Sequence, residues 1–155
     1  MRIGHGYDVH RLGLGNAIVL GGVSIPHHHC LVGWSDADVL THAIIDALLG
    51  AAGLGDIGAH FPPGDPRYKG ISSITLLKHA WVLIQEKGFR VGNIDATVVA
   101  EQPRLRGYID QMRTSLAMAL DCPPDNVNIK ASTQEEMGFV GREEGIIAWA
   151  VALIE

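Results

Sequence analysis

The segment Ile146–Ile154, IIAWAVALI, constrains the fold more than any other part of the chain. Its nine residues include no charge, hydroxyl or amide side chain. It is far shorter than the ~20 apolar residues a helix needs to cross a bilayer. A short, continuous apolar run of this kind reads as a strand covered on both sides. It must therefore be the central strand of a sheet or lie in a subunit interface.

The chain has 155 residues, the size of one domain, and needs no disulfide or metal merely to hold together. With 47% hydrophobic and 19% charged residues, intrinsic disorder is excluded. The net charge of -5 argues against a nucleic-acid surface. A phosphorylated ligand would need metals or a few local cations to offset the repulsion. Cys30 and Cys122 form no C-x-x-C pair and read as reduced thiols. With no basic, apolar leader before Met1-Arg2-Ile3-Gly4 and no membrane span, the expected location is the cytoplasm, or an organelle stroma after import.

Residues 2–10 read as an extended entry segment, and 17–20 with 23–25 as a strand bent at Gly21-Gly22. The first helix is predicted from an N-cap at Ser35 to Ala52, closed by Gly53. Its apolar stripe is Val39, Leu40, Ala43, Ile44, Ala47 and Leu48. Residues 54–70, with four glycines and three prolines, predict no regular structure. Helices over 73–87 and 107–120 and strands over 92–100, 127–132 and 146–154 complete a single mixed α/β domain over residues 1–155.

Asp8 and His10 stand at i and i+2 on an extended segment, so they share one face. A carboxylate and an imidazole there form two legs of a zinc site. His42 is the natural third leg, with Asp38 and Asp46 one helical turn either side to hold its second ring nitrogen. Two His and one Asp leave a coordination position open, the pattern of a catalytic zinc. Trp34-Ser35-Asp36 falls where the helix is expected to begin, and free N–H groups at such a terminus bind phosphate. Gly53–Gly58 lacks the Lys and hydroxyl of a P-loop. Lys130, Ser132, Thr133 and Glu135 leave a strand together, and Arg104, Arg106 and Arg142 add local cations. His27-His28-His29 reads as an exposed run with incidental metal affinity.

These pieces occur in the order of one family. Arg2–His10, Ser35-Asp36-Ala37-Asp38 with His42, Asp46–Gly50, Leu54–Gly58, Lys130–Thr133 and Gly138-Phe139 together resemble the 2-C-methyl-D-erythritol 2,4-cyclodiphosphate synthases, over essentially the whole chain.

The resemblance implies a lyase of the non-mevalonate isoprenoid pathway that cyclises 4-diphosphocytidyl-2-C-methyl-D-erythritol 2-phosphate and releases CMP. It implies a homotrimer with strands facing the central axis and sites at subunit interfaces. By the same resemblance Asp8, His10 and His42 bind Zn, and Glu135 a second divalent metal, Mg or Mn. Substrate contacts would come from Asp8, Val9, His10, Trp34, Ser35, Asp56, Ile57, Gly58, Phe61, Asp65, Ala100, Pro103, Arg104, Arg106, Ser132, Thr133 and Glu135. Thr133 matches a residue that stabilises the transition state. Phe139 and Arg142 match the surroundings of a central cavity that holds an isoprenoid diphosphate in some members. Two positions depart from the family pattern. Trp34 replaces a His that also acts on the transition state, and Pro63 replaces an acid in Phe61–Pro66. The rival readings are a zinc phosphohydrolase and a catalytically weak trimer that binds isoprenoid diphosphate.

Overall fold

The apolar run at the end of the chain is the middle of the main sheet. The computed structural model describes residues 1–155. Its strands are β1 (Arg2–Leu14), β2 (Ala17–Leu20), β3 (Val23–Pro26), β4 (His29–Leu31), β5 (Val91–Val99), β6 (Val127–Ser132) and β7 (Gly145–Ile154). Its helices are α1 (Val39–Ala52), α2 (Ile57–His60), α3 (Ser73–Gln85), α4 (Ile109–Ala119) and α5 (Gly138–Gly141). The sheet runs β4-β1-β7-β5-β6, and β2 and β3 form a separate hairpin. β7 lies antiparallel to both β1 and β5, while β5 and β6 are parallel, so the sheet is mixed.

Strand alternation gives the sheet two unlike faces. Ile146, Ala148, Ala150, Ala152 and Ile154 of β7 are buried, with Ile94, Ala96 and Val98 of β5 beside them. The opposite face carries Ile3, Tyr7, Val9, Trp149 and Val151, all partly exposed in the single chain. Tyr7 and Trp149 are register partners with ring centroids 5.7 Å apart. The expectation that β7 is covered on both sides therefore holds for one face only within the chain.

The inner face of β1 positions the site. Gly4, Gly6, Asp8 and His10 alternate onto one side. A Cβ at Gly4 would stand 1.9 Å from the Ala47 carbonyl oxygen, and one at Gly6 would stand 1.9 Å from that of Ala43. Only glycine lets α1 lie this close, and Ala43, Ala47 and Ala51 keep the helix side equally small. As β1 advances from Gly4 to Gly6 it meets successively earlier turns of α1. Two residues further on, Asp8 arrives beside His42.

The first helix differs from the expectation in two ways. Its polar face narrows to a single row, half-buried His42 and Asp46 and exposed Gly50, and its other side chains are buried. The sheet covers one side, and α3 packs against the helix as well. It also begins at Val39 with Asp38, not Ser35, as the N-cap, and ends as expected on left-handed Gly53. Asp38 is fully buried and accepts from the N–H groups of Gly21, Gly22 and Thr41 and from the Thr41 hydroxyl. Gly21 and Gly22, both at positive φ, form the turn joining β2 to β3 and tie that hairpin to the helix. Burial pushes the Asp38 carboxyl up, and these donors pull the other way.

Other expectations shift at their edges. β1 runs on to Leu14, and the third long helix starts at Ile109 after a short 3-10 turn. The stretch 54–70 holds α2 and a 3-10 turn at Pro66–Tyr68, each capped by an aspartate, Asp56 and Asp65. The brief elements β4 and α5 escaped the sequence patterns.

Candidate metal centre and ligand cavity

Asp8, His10 and His42 converge where β1 passes the first turn of α1. Asp8 Oδ2 lies 3.1 Å from His10 Nε2 and 3.0 Å from His42 Nδ1, and the two ring nitrogens are 3.1 Å apart. Donors ~2.0–2.1 Å from a tetrahedral zinc stand roughly 3.3 Å from one another. The triangle is thus nearly the size the ion requires, and the three groups fit a metal. The two imidazoles meet edge to face.

The other nitrogen of His42 sets its tautomer. His42 Nε2 lies 2.8 Å from Ser73 Oγ and 3.1 Å from Ser35 Oγ. Ser73 Oγ in turn donates to the Asp36 carboxylate, which also accepts from the Ser73 backbone N–H. With its proton committed to Asp36, Ser73 accepts from His42 Nε2–H, which leaves the Nδ1 lone pair for the metal. The expectation that Asp38 or Asp46 would hold this ring is corrected. Asp38 is occupied at the hairpin, and Asp46 accepts from the Ile57 N–H. Ser73 carried no site signal in the sequence, where it read only as the start of a helix.

The charges reinforce the cluster. Burial raises the Asp8 carboxyl, but hydrogen bonds and charge from His10 and His42 outweigh it and bring its pKa down to about 2. Burial pulls the His42 imidazole down, and Asp8, aided by Asp38 and Asp36, more than reverses this.

A cavity of about 220 Å³ opens beside the cluster, lined by His10, Trp34, Ser35, His42, Ile57, Gly58, Phe61, Pro63, Tyr68 and Leu76. Trp34 and Ser35 precede the N-cap Asp38, so their N–H groups are not those of a helix terminus, contrary to expectation. Neither N–H donates to a protein acceptor, whereas Asp36 N–H is held by the Ile71 carbonyl. A second cavity, of about 260 Å³, is lined by Ala100, Glu101, Pro103, Arg104, Leu105, Arg106, Ala131, Ser132 and Thr133. The two cavities share no residue. An open groove of about 580 Å³ between α3 and α4 is larger, but it also shares no residue with the metal cluster.

The remaining candidates are placed as follows. Val9 alternates onto the outer face of β1, away from its neighbours Asp8 and His10. Asp56 caps α2, with its carboxylate accepting from Ala59 N–H. The Asp65 carboxylate is held by the Arg67 guanidinium and does not line the cavity. Glu135 is exposed at positive φ, 3.4 Å from the Thr133 hydroxyl. Phe139 lies on α5, and Arg142 pairs with Glu144.

A mixed sheet backed by one buried helix, with a His-Asp-His group that could hold a metal ion beside a cavity, defines the α/β class of this protein. The chain belongs to the YgbB family, whose model matches residues 1–155. It is 63% identical, over 100% of its length and 99% of the relative's, to a 2-C-methyl-D-erythritol 2,4-cyclodiphosphate synthase from Dehalococcoides mccartyi. A synthase of the same name from Pseudomonas aeruginosa is 60% identical over 99% of this chain and 98% of its own. Among solved structures, the bifunctional IspDF of Campylobacter jejuni matches with a TM-score of 0.95 and 40% identity, over 99% of this chain and 42% of that one. The CDP complex of IspF from Plasmodium falciparum matches with a TM-score of 0.86 and 31% identity, over 99% and 94% of the two chains.

Proposed function

We propose that this chain converts 4-diphosphocytidyl-2-C-methyl-D-erythritol 2-phosphate to 2-C-methyl-D-erythritol 2,4-cyclodiphosphate with release of CMP. It is then a phosphorus–oxygen lyase of non-mevalonate isoprenoid synthesis. The observation that carries the reading is the convergence of Asp8, His10 and His42 beside a cavity, in a chain matched end to end by synthases of that name.

Asp8, His10 and His42 would hold zinc, and Glu135 a second divalent ion, magnesium or manganese. Both metals supply polarisation of phosphate oxygens. A single protein carboxylate suits magnesium, which keeps water and phosphate ligands. The nucleophile is an ionised phosphate oxygen, so no protein base is needed. Phosphoryl transfer then asks mainly for alignment and charge neutralisation. Free N–H groups at Trp34 and Ser35 serve a phosphate oxygen. Asp56, Ile57, Gly58 and Phe61 enclose the methylerythritol part, with Asp65 supporting the loop. Ala100, Pro103, Arg104, Arg106 and Ser132 take the cytidine diphosphate, and Thr133 the charge that develops in the transition state.

The assembly in this reading is a homotrimer with the outer sheet face about the axis. The exposed row Ile3, Tyr7, Val9, Trp149 and Val151 supports it, because so much apolar surface in one place marks an interface. The two separate cavities support sites built from neighbouring subunits. Phe139 and Arg142 would then border a central cavity able to take an isoprenoid diphosphate. The proposed location is the cytoplasm or an organelle stroma; no helix is long and apolar enough to cross a membrane.

Phosphorus NMR with the linear substrate tests the proposal. The cyclic diphosphate and CMP are the expected products. Linear phosphates would identify a metal phosphohydrolase instead, and no turnover with retained isoprenoid-diphosphate binding a trimer that only binds.

A further inference from the structure

We infer that His27, His28 and His29 form a second metal site, for a divalent transition ion of the zinc, nickel or copper class. The sequence suggests only an exposed run, but the fold gathers it. The three residues follow Pro26 at the corner between β3 and β4, and each offers a ring nitrogen within 4.8 Å of the others'. Ring centroids are 4.3 Å apart for His27 and His28, 4.4 Å for His28 and His29, and 5.4 Å for His27 and His29.

Two features separate this corner from a flexible histidine run. The backbone is already pinned: His27 N–H donates to the Asn16 carbonyl, the His28 carbonyl accepts from Gly15 N–H, and His29 pairs with Leu14 of β1. A metal therefore meets three imidazoles whose main chain needs no further ordering. Second, His29 Nδ1 is buried without any hydrogen-bond partner. A buried ring nitrogen without a partner is costly, and coordination to a metal would satisfy it. One interaction competes: His27 Nδ1 accepts from His29 N–H at 3.2 Å. Imidazoles favour zinc, copper and nickel over magnesium or calcium, and three of them leave positions for water. The site is distinct from the Asp8–His10–His42 cluster. His29 pairs with Leu14, four residues beyond His10 on β1 and so roughly 13 Å along the strand.

The test is equilibrium dialysis of the full chain, stripped of metal, against micromolar zinc, with bound metal counted by mass spectrometry. Wild type is expected to hold two zinc per chain from these two clusters. The double variant His27→Gln/His29→Gln is expected to hold one fewer while keeping wild-type turnover, which shows the fold intact. His42→Ala is expected to hold one fewer and to lose turnover. A double variant that binds as much zinc as wild type overturns the proposal. Nickel in place of zinc should give the same loss in the double variant, whereas magnesium should not register at this site.

Discussion

The Trp34 indole N–H donates to the backbone carbonyl of Asp65 at 2.9 Å. The Trp34 carbonyl in turn accepts from Gly70 N–H at 2.8 Å. One residue thus clasps both ends of the turn 65–70 beside the cavity. The Trp34 side chain is committed to holding a loop. Trp34→Phe keeps the ring and removes the donor. Loss of one neutral hydrogen bond is worth about 0.5–1.5 kcal/mol. The expected result is KM raised roughly 2–10-fold with kcat little changed, because the loop binds substrate and transition state alike. A fall confined to kcat in steady-state kinetics would assign Trp34 to the reacting phosphate instead.

Ser73 holds the His42 ring and so would act on a bound metal through it. Ser73→Ala leaves Nε2 of His42 with only the more distant Ser35 hydroxyl and frees the tautomer. Such partners typically contribute 10–100-fold in metal affinity. Zinc affinity measured by competition with a chelator should fall about that much, and Ser73→Thr should recover part of it.

Gly6 sets the distance between β1 and α1. Gly6→Ala drives a methyl group into the Ala43 carbonyl, so the helix must move. The expected cost is about 1–3 kcal/mol, read from denaturant unfolding. Zinc affinity should fall as well, since Asp8 and His42 belong to the two elements forced apart.

The pH dependence of the metal-free protein follows from Asp8 and His42. Asp8 is depressed to about 2, so its stabilisation is present above the unfolded value of ~3.9 and is lost as pH falls toward 2. His42 is raised, so its stabilisation is present below ~6.5 and is lost as pH rises through its folded value. The Tm difference between wild type and Asp8→Asn should therefore be largest between about pH 4 and 6.5 and shrink on both sides. A difference that is flat from pH 3 to 9 would mean the pair is not coupled to folding.

The proposed sharing of active sites between subunits predicts complementation. Chains carrying His42→Ala and chains carrying Thr133→Ala should each be weak alone. Verified mixed trimers should regain part of the activity, because some sites then combine an intact metal cluster with an intact Thr133. Mixed trimers with no recovery would place each site within one chain.

Period and composition alone determined several features. The charge-free run Ile146–Ile154 could only be a central or interface strand, since its backbone needs partners on both edges and its side chains shun water. Asp8 and His10 had to share a face, because side chains alternate along any strand. Gly53 had to end the helix, because a left-handed residue does so most cheaply when it has no Cβ. These are local rules, satisfied wherever the segment lies. The partners of the site are a different matter. As sequence, Ser35 was the expected cap, and Asp38 became the cap instead because the Gly21-Gly22 hairpin brings it two further donors. Asp38 and Asp46 were equally good partners for His42, yet Ser73 holds that ring from 31 residues away, carried there by α3. Three consecutive histidines became a cluster only because Asn16, Gly15 and Leu14 pin their backbone. A hydrogen bond is short-ranged and nearly indifferent to which donor fills it. Among several chemically adequate partners, the packing of β1, α1 and α3 decides which one comes within reach.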